Sequence, residues 1–189
     1  GMESRKEQLA EAITTVLRPR GAVLRNDARV RDLEGLPRQN EAWFGDVPDE
    51  VTFEEAGLRF TAPPLGGQKT GHFFDQYDNK RAAAPLCAGR TVLDVYANTG
   101  GWALHALAAG AEHATTVDID PGNAERAAAN AAANGFAERL ESVCAEGKAT
   151  LQDLVQQGAR FGAVVLDPPA FAKQKKAAGS ALRGYREIN

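Results

Sequence analysis

From residue 91 onward, short apolar runs alternate with helix-length stretches, and no other feature narrows the fold as far. Residues 91–96, 115–118, 140–144 and 163–166 read as strands. A helical pattern through Trp102, Leu104, His105 and Leu107 follows the first and is closed by Gly110. An Ala-rich helix comes next, with Asp120 as its N-cap, Pro121 at its first position and Gly135 after its last turn. A third helix carries Leu151, Leu154 and Val155 and ends at Gly158. Strands alternating with helices of about 10–15 residues build βαβ units on a parallel sheet. The run 163–166 is apolar throughout, the pattern of a strand covered on both faces. The expected fold class is therefore α/β, a Rossmann-like sheet. Four such strands leave the last with an open edge, so part of the natural sheet is expected to lie outside this chain.

The upstream part reads differently. Ser4 and Glu7 have the spacing of a capping box, and Leu9, Ala12, Ile13, Val16 and Leu17 recur at helical intervals until Pro19. This predicts one amphipathic helix over 4–17. Residues 22–25 suit a short strand, and 26–50 are charged and irregular. In 51–62, Val51, Phe53, Leu58 and Phe60 alternate with polar neighbours around Ala56-Gly57, which predicts a β-hairpin. Pro63-Pro64 and Gly66-Gly67 then break the pattern. The expected organisation is a partial β-rich domain with an N-terminal helix over 2–66, and the first part of the α/β domain over 67–189. A last helix is expected at 181–188.

Composition removes several function classes. Lys plus Arg is 22 and Asp plus Glu is 25, a net charge of −3. Bulk charge therefore does not grip nucleic acid here. No run approaches the roughly 18 apolar residues that a membrane span requires, so no membrane partner is expected. Cys87 and Cys144 are too few for a disulfide scaffold or a zinc cluster and read as packing residues. They suit a reducing, cytoplasmic setting. His72, His105 and His113 lack ligand spacing, so no metal is expected.

In an open parallel sheet, ligands bind beyond the carboxyl ends of the strands. Those ends here carry Asp94, Asp118, Glu146 and Asp167. An acid at such a turn can simply cap the next helix, but four in succession at one rim favour a ligand site. The loop after the first strand, Asn98-Thr99-Gly100-Gly101, lets backbone approach a ligand and leads into a helix N-terminus. It lacks the dinucleotide fingerprint, because Tyr96 and Asn98 stand where glycines belong. That disfavours a nicotinamide oxidoreductase and favours a carboxylate over a diphosphate. Asp118 suits a ribose diol. An adenosine with a carboxylate tail and no phosphate is S-adenosylmethionine, the cofactor expected. After the fourth strand, Asp167 can accept from the amino edge of a base and Phe171 can stack on it, which makes both catalytic candidates. Lys173, Lys175, Lys176 and Arg183 form a basic run suited to RNA phosphates, or to an ordinary solvated face.

The stretch Gly67-Gln68-Lys69-Thr70-Gly71, followed by Asp75-Gln76 and Asn79, is similar to the GQKTG-DQ-N signature of class I S-adenosylmethionine-dependent RNA methyltransferases. The strings LDVYANTGG (93–101), VDID (117–120), VVLDPPAFAKQKK (164–176) and RGYREIN (183–189) resemble its later motifs, and 24–36 resembles its central β-rich domain. The member type most similar is the PUA-linked large-subunit ribosomal RNA cytosine-5 methyltransferase. The resemblance implies a donor held by Gln76, Asn98, Thr99, Gly100, Gly101, Asp118, Glu146 and Asp167, with Lys69 and Thr70 over its methionine end. Glu146 stands where that family has Asp. It implies an rRNA substrate, with a homodimer left open. It also implies a nucleophilic cysteine in a TCS motif and a PUA-type domain, and this sequence contains neither, so the chain alone is expected to be inactive. A guanine N7 methyltransferase, with a DPPTFSNSK-like string, is the enzyme alternative that Ala170 and the lysines disfavour. A non-catalytic RNA-binding module of the same fold is the other alternative.

Overall fold

The computed structural model describes residues 2–66, 71–169 and 178–188. The chain divides into two compact units, Gly1–Val51 with Pro63–Gly71, and Thr52–Ala62 with His72–Asn189.

The first unit holds helix α1 (Lys6–Leu17), strand β1 (Gly21–Asn26), a one-turn helix α2 (Val30–Leu33) and strand β2 (Gln39–Gly45). β1 and β2 pair antiparallel, with Leu24 opposite Glu41 and a register shift between Ala22 and Val23. The capping box expected at Ser4 is replaced by a 3-10 turn over Met2–Arg5, which places Arg5 at the N-cap of α1 with no side-chain cap bond. Glu3 pairs instead with Lys6 at 2.6 Å and with Arg31 at 3.1 Å. The stretch 26–50, expected to be irregular, contains α2 and β2. Charge there hid order because the charges are paired: Arg38 meets Asp32 at 3.0 Å, and Arg31 also meets Asn26.

The second unit begins with a hairpin, β3 (Val51–Glu55) and β4 (Leu58–Ala62). Ala56 and Gly57 both have positive φ, +53° and +79°, as a two-residue primed turn requires. The hairpin was expected with the upstream domain, yet its residues from Thr52 on belong to the second unit. The reason is burial: Leu58 and Phe60 enter one core with Val92, Leu104, Leu107 and Ala131.

The sheet comprises β5 (Thr91–Val95), β6 (His113–Asp118), β7 (Leu140–Cys144) and β8 (Ala163–Leu166), all parallel, in the order β7-β6-β5-β8. Helices α3 (Tyr77–Ala83), α4 (Gly101–Ala108), α5 (Pro121–Ala133), α6 (Gly147–Gln156) and α7 (Ala178–Ile188) complete the unit. The expected α/β fold is present. Strand periodicity divides β5 between two cores, Val92 facing the α4 side, and Leu93 and Val95 facing Leu151 and Leu154 of α6. Asp120 caps α5 as expected, accepting from Gly122 N and Asn123 N. The expectation that β8 is covered on both faces is not met. β8 lies at the sheet edge, and Val164 is 51% exposed. An apolar run marks a buried strand only when its neighbours are present to bury it.

Among the described residues, no group of three or more His, Cys, Asp or Glu is disposed to hold a metal ion. No described helix is long and apolar enough to cross a membrane.

Candidate functional site

The strand order creates the site. From β5 the chain steps outward to β6 and β7, then returns to the other side of β5 as β8. The loops after β5 and β8 therefore diverge and leave a crevice at the sheet's switch point. Register shows which residues reach it. Val95 lies opposite both Val117 and Leu166, so Asp118 and Asp167 follow one rung later, flanking the start of the β5 loop. Asp94 sits one rung below the rim.

Asp94 is fully buried. Its Oδ2 accepts from Ala103 N at 3.2 Å, in the first turn of α4. Its Oδ1 has no hydrogen-bond partner. Burial pushes its pKa up to about 7; the Ala103 bond opposes this, while the charges of Asp167 and Asp118 raise it further. A buried acceptor left unpaired beneath a loop of this kind is a place for a donor supplied by a ligand.

The loop above it is tightly wound. Tyr96, Asn98 and Gly100 all have left-handed φ, of +66°, +50° and +81°. Tyr96 N and Ala97 N both donate to Val117 O, at 2.8 and 3.0 Å, which hooks the loop onto β6. Asn98 N donates to Asp118 Oδ2 at 2.8 Å. Glycine suits position 100 for its left-handed φ, and a methyl there would press on Leu104 Cδ1 at 3.1 Å and Ala127 Cβ at 3.2 Å. Gly101 has room for a side chain by comparison.

The other acids differ in how much of them is free. Asp118 also accepts from Asp120 N at 3.0 Å and Asn123 Nδ2 at 3.1 Å through Oδ1. It thus ties the β5 loop to α5 while keeping lone-pair capacity. Glu146 is the N-cap of α6, accepting from Ala149 N at 2.7 Å. Of the four rim acids it alone fills the capping role. Asp167 is exposed and its Oδ2 accepts from Trp102 Nε1 at 3.4 Å, so a side chain from the start of α4 spans the crevice. Gln76 stands at the N-cap of α3, its Oε1 accepting from Asn79 Nδ2 at 2.8 Å. The structure thus brings Asp94, Asn98, Asp118 and Asp167 together. Lys69, Thr70, Phe171, Lys173, Lys175, Lys176 and the side chain of Arg183 lie outside the described residues.

A family model described as S-adenosylmethionine-dependent methyltransferase matches residues 10–188. The chain belongs to that family. The methyltransferase resemblance seen in the motifs therefore holds at the level of family and methyl donor. Ribosomal RNA large subunit methyltransferase I of Photobacterium profundum is 36% identical over 191 residues, covering 100% of this chain and 48% of that protein. The chain thus spans about half the length of the curated relatives it matches. Among solved structures, SMU.776 in complex with SAH has a TM-score of 0.78 at 21% identity, over 99% of this chain and 50% of that one. The aTrm5–tRNALeu complex has a TM-score of 0.68 at 18% identity, over 97% and 50%. These two likenesses establish the methyltransferase fold.

Sequence reasoning missed a second cluster beside the loop that follows β5. Glu55, His72, Lys80 and His105 converge, all 5% exposed or less. Lys80 Nζ donates to Glu55 Oε1 and lies 3.2 Å from His72 Nε2, which is 3.0 Å from Glu55 Oε2. His105 Nδ1 donates to Gly101 O at 2.8 Å. Phe53 and Phe60 flank His72, each with ring centroids 4.9 Å from it. One signal was available: Glu55 shares the inward face of β3 with Phe53, two residues earlier.

Proposed function

We propose that this chain forms the methyl-donor part of an RNA methyltransferase that makes 5-methylcytosine in large-subunit ribosomal RNA, acting in the cytoplasm. The observation that carries the donor site is the unpaired, buried Asp94 Oδ1 under a left-handed loop, with Asp118 and Asp167 on either side. These residues fit S-adenosylmethionine: Asp94 would meet its amino group, the Asn98–Gly101 backbone its carboxylate, and Asp118 its ribose. The resemblance adds Gln76 and Glu146 to the residues that would hold it, with Lys69 and Thr70 assigned to its methionine end. The rRNA substrate is supported by the name of the Photobacterium relative and by the DPPAFAKQKK string, in which Phe171 would stack on the base. Lys173, Lys175, Lys176 and Arg183 would meet its phosphates.

Bound S-adenosylmethionine supplies a methyl group on a sulfonium. The chain's own part is orientation: Asp167 holds the base edge, and the acids of the rim favour the cationic donor. Carbon 5 of cytosine becomes nucleophilic only after a thiolate adds at carbon 6. Cys87 is unsuited to that step, because it is buried and burial pushes its thiol pKa up. The resemblance assigns the step to the TCS cysteine. The test is transfer of labelled methyl to large-subunit rRNA by the protein at full natural length, followed by nucleoside analysis. 5-Methylcytosine is the expected product; 7-methylguanosine or no transfer overturns the assignment.

The donor site has its own signature. Asp94 titrates near pH 7 when its Oδ1 is unpaired. An ammonium beside it favours the carboxylate, so its pKa falls on binding. S-adenosylhomocysteine binding near pH 7 should therefore release protons, and affinity should rise with pH through the neutral range. Calorimetry in two buffers of different ionisation enthalpy reads this directly. Proton uptake, or binding indifferent to pH, removes Asp94 from the site.

A further inference from the structure

One face of α5 does more than fill the core. Ala127 lies against Gly100, and Asn130, one turn on, is 1% exposed. Asn130 Oδ1 accepts from Thr61 N at 2.9 Å, and its Nδ2 donates to Thr99 O at 3.2 Å. One amide thus joins the hairpin to the donor loop, with both polar atoms committed. Asn134, a further turn along, accepts from Arg59 N at 2.8 Å and donates to Arg59 O at 2.7 Å. Arg59 and Thr61 expose backbone groups on the same edge of β4, so the two asparagines act as a surrogate neighbouring strand. Only Asn130 continues to the loop.

Thr99 explains why the loop needs it. The first intrahelical bond of α4 runs from Leu104 N to Gly100 O, so the carbonyl of Thr99 precedes the helix ladder and has no donor within it. Ala103 N, outside that ladder for the same reason, donates to Asp94 Oδ2. A buried carbonyl is costly unless a donor reaches it. Thr99 is itself buried, and Asn130 Nδ2 is that donor.

We propose that Asn130 is a positioning residue of the donor site: it supplies the donor that the buried Thr99 carbonyl does not find in α4, and so holds the Asn98–Gly101 loop in its ligand-binding shape. This rests on the donor-site reading above. Without Asn130 the buried Thr99 carbonyl has no donor, and the loop turns to find one. That draws the start of α4, and with it Ala103 N, away from Asp94 Oδ2.

Asn134 supplies a matched control, bonding the same strand edge without touching the loop. Asn130→Asp retains the acceptor for Thr61 N but sets an oxygen against Thr99 O; Asn130→Ala removes both bonds and serves if the Asp variant does not fold. Binding of S-adenosylhomocysteine is measured by calorimetry across pH, alongside the melting temperature. Asn130→Asp and Asn134→Ala should both lower the melting temperature. Only the Asn130 variants should weaken binding, by about tenfold or more, and move the pH midpoint of binding upward. Equal affinity losses at the two positions, or a destabilised Asn130 variant with unchanged affinity and midpoint, overturn the proposal. Absence of binding by the unaltered protein overturns the donor-site reading and this inference with it.

Discussion

Lys80→Met should destabilise the chain by about 3–5 kcal/mol, the cost of leaving a buried charge without its partner. The Lys80 and Glu55 side chains are 2% and 4% exposed, so water cannot take over when one is removed. Against a total stability of roughly 5–15 kcal/mol for a domain, that is a large fraction. The double variant Glu55→Leu/Lys80→Met should recover most of the loss, because a pair replaced by apolar groups leaves no orphaned charge. Urea denaturation of the two singles and the double measures this. A single variant costing less than about 1 kcal/mol would place the pair among surface ion pairs and remove the buried cluster from the account of stability.

The same cluster sets an acid limit. Burial pushes the Glu55 carboxyl up, but the hydrogen bonds from Lys80 and His72 outweigh it and hold its pKa below the usual range. Burial, then the Lys80 charge, keep His72 below its ordinary value, and burial does the same for His105. A lowered native pKa means the unfolded chain binds protons first. Stability from these groups is therefore present at neutral pH, declines as pH falls below about 6.5 where unfolded histidine protonates, and declines further through the carboxylate range. Asp94 runs the other way. Its raised pKa makes the folded chain the better proton binder between about 4 and 7, so its burial costs stability as pH rises through that window.

How much was legible follows the range of the interactions. The alternation from residue 91, the Asp120 cap and the Ala56-Gly57 turn are set by neighbours within a few residues, and strand and helix limits there agree with the pattern. Asp94, Asp118 and Asp167 converge as the rim argument required, because parallel register carries adjacent strand ends to one level. Glu146 shows the limit of that argument: an acid at a βα turn caps its helix as readily as it meets a ligand, and local sequence does not distinguish the two. Glu55, His72, Lys80 and His105 lie up to 50 residues apart, and their convergence depends on where the hairpin docks. Asn130 sat unnoticed in an Ala-rich helix, since its partners Thr61 and Thr99 are 69 and 31 residues away.

Asp167→Ala should lower methyl transfer by at least about 10²-fold while leaving the fold intact, since a single preorganised contact at a reacting group carries rate effects of that order. The two halves of this expectation have separate grounds. Asp167 is exposed and its hydrogen bond to Trp102 is long, so little native stability depends on it. Removing its charge also relieves Asp94, which favours the folded chain above pH 7. The expected catalytic loss has its ground in position instead: Asp167 follows β8 beside the switch-point crevice, across from the loop after β5. Asp167→Asn separates shape from charge, because it keeps an acceptor for Trp102 and loses the negative charge at the crevice. Transfer in Asp167→Asn should fall between the other two proteins, with all melting temperatures within a few degrees. Unaltered turnover in Asp167→Ala at full natural length would assign the residue to holding Trp102 and move the base-contacting role elsewhere on the rim.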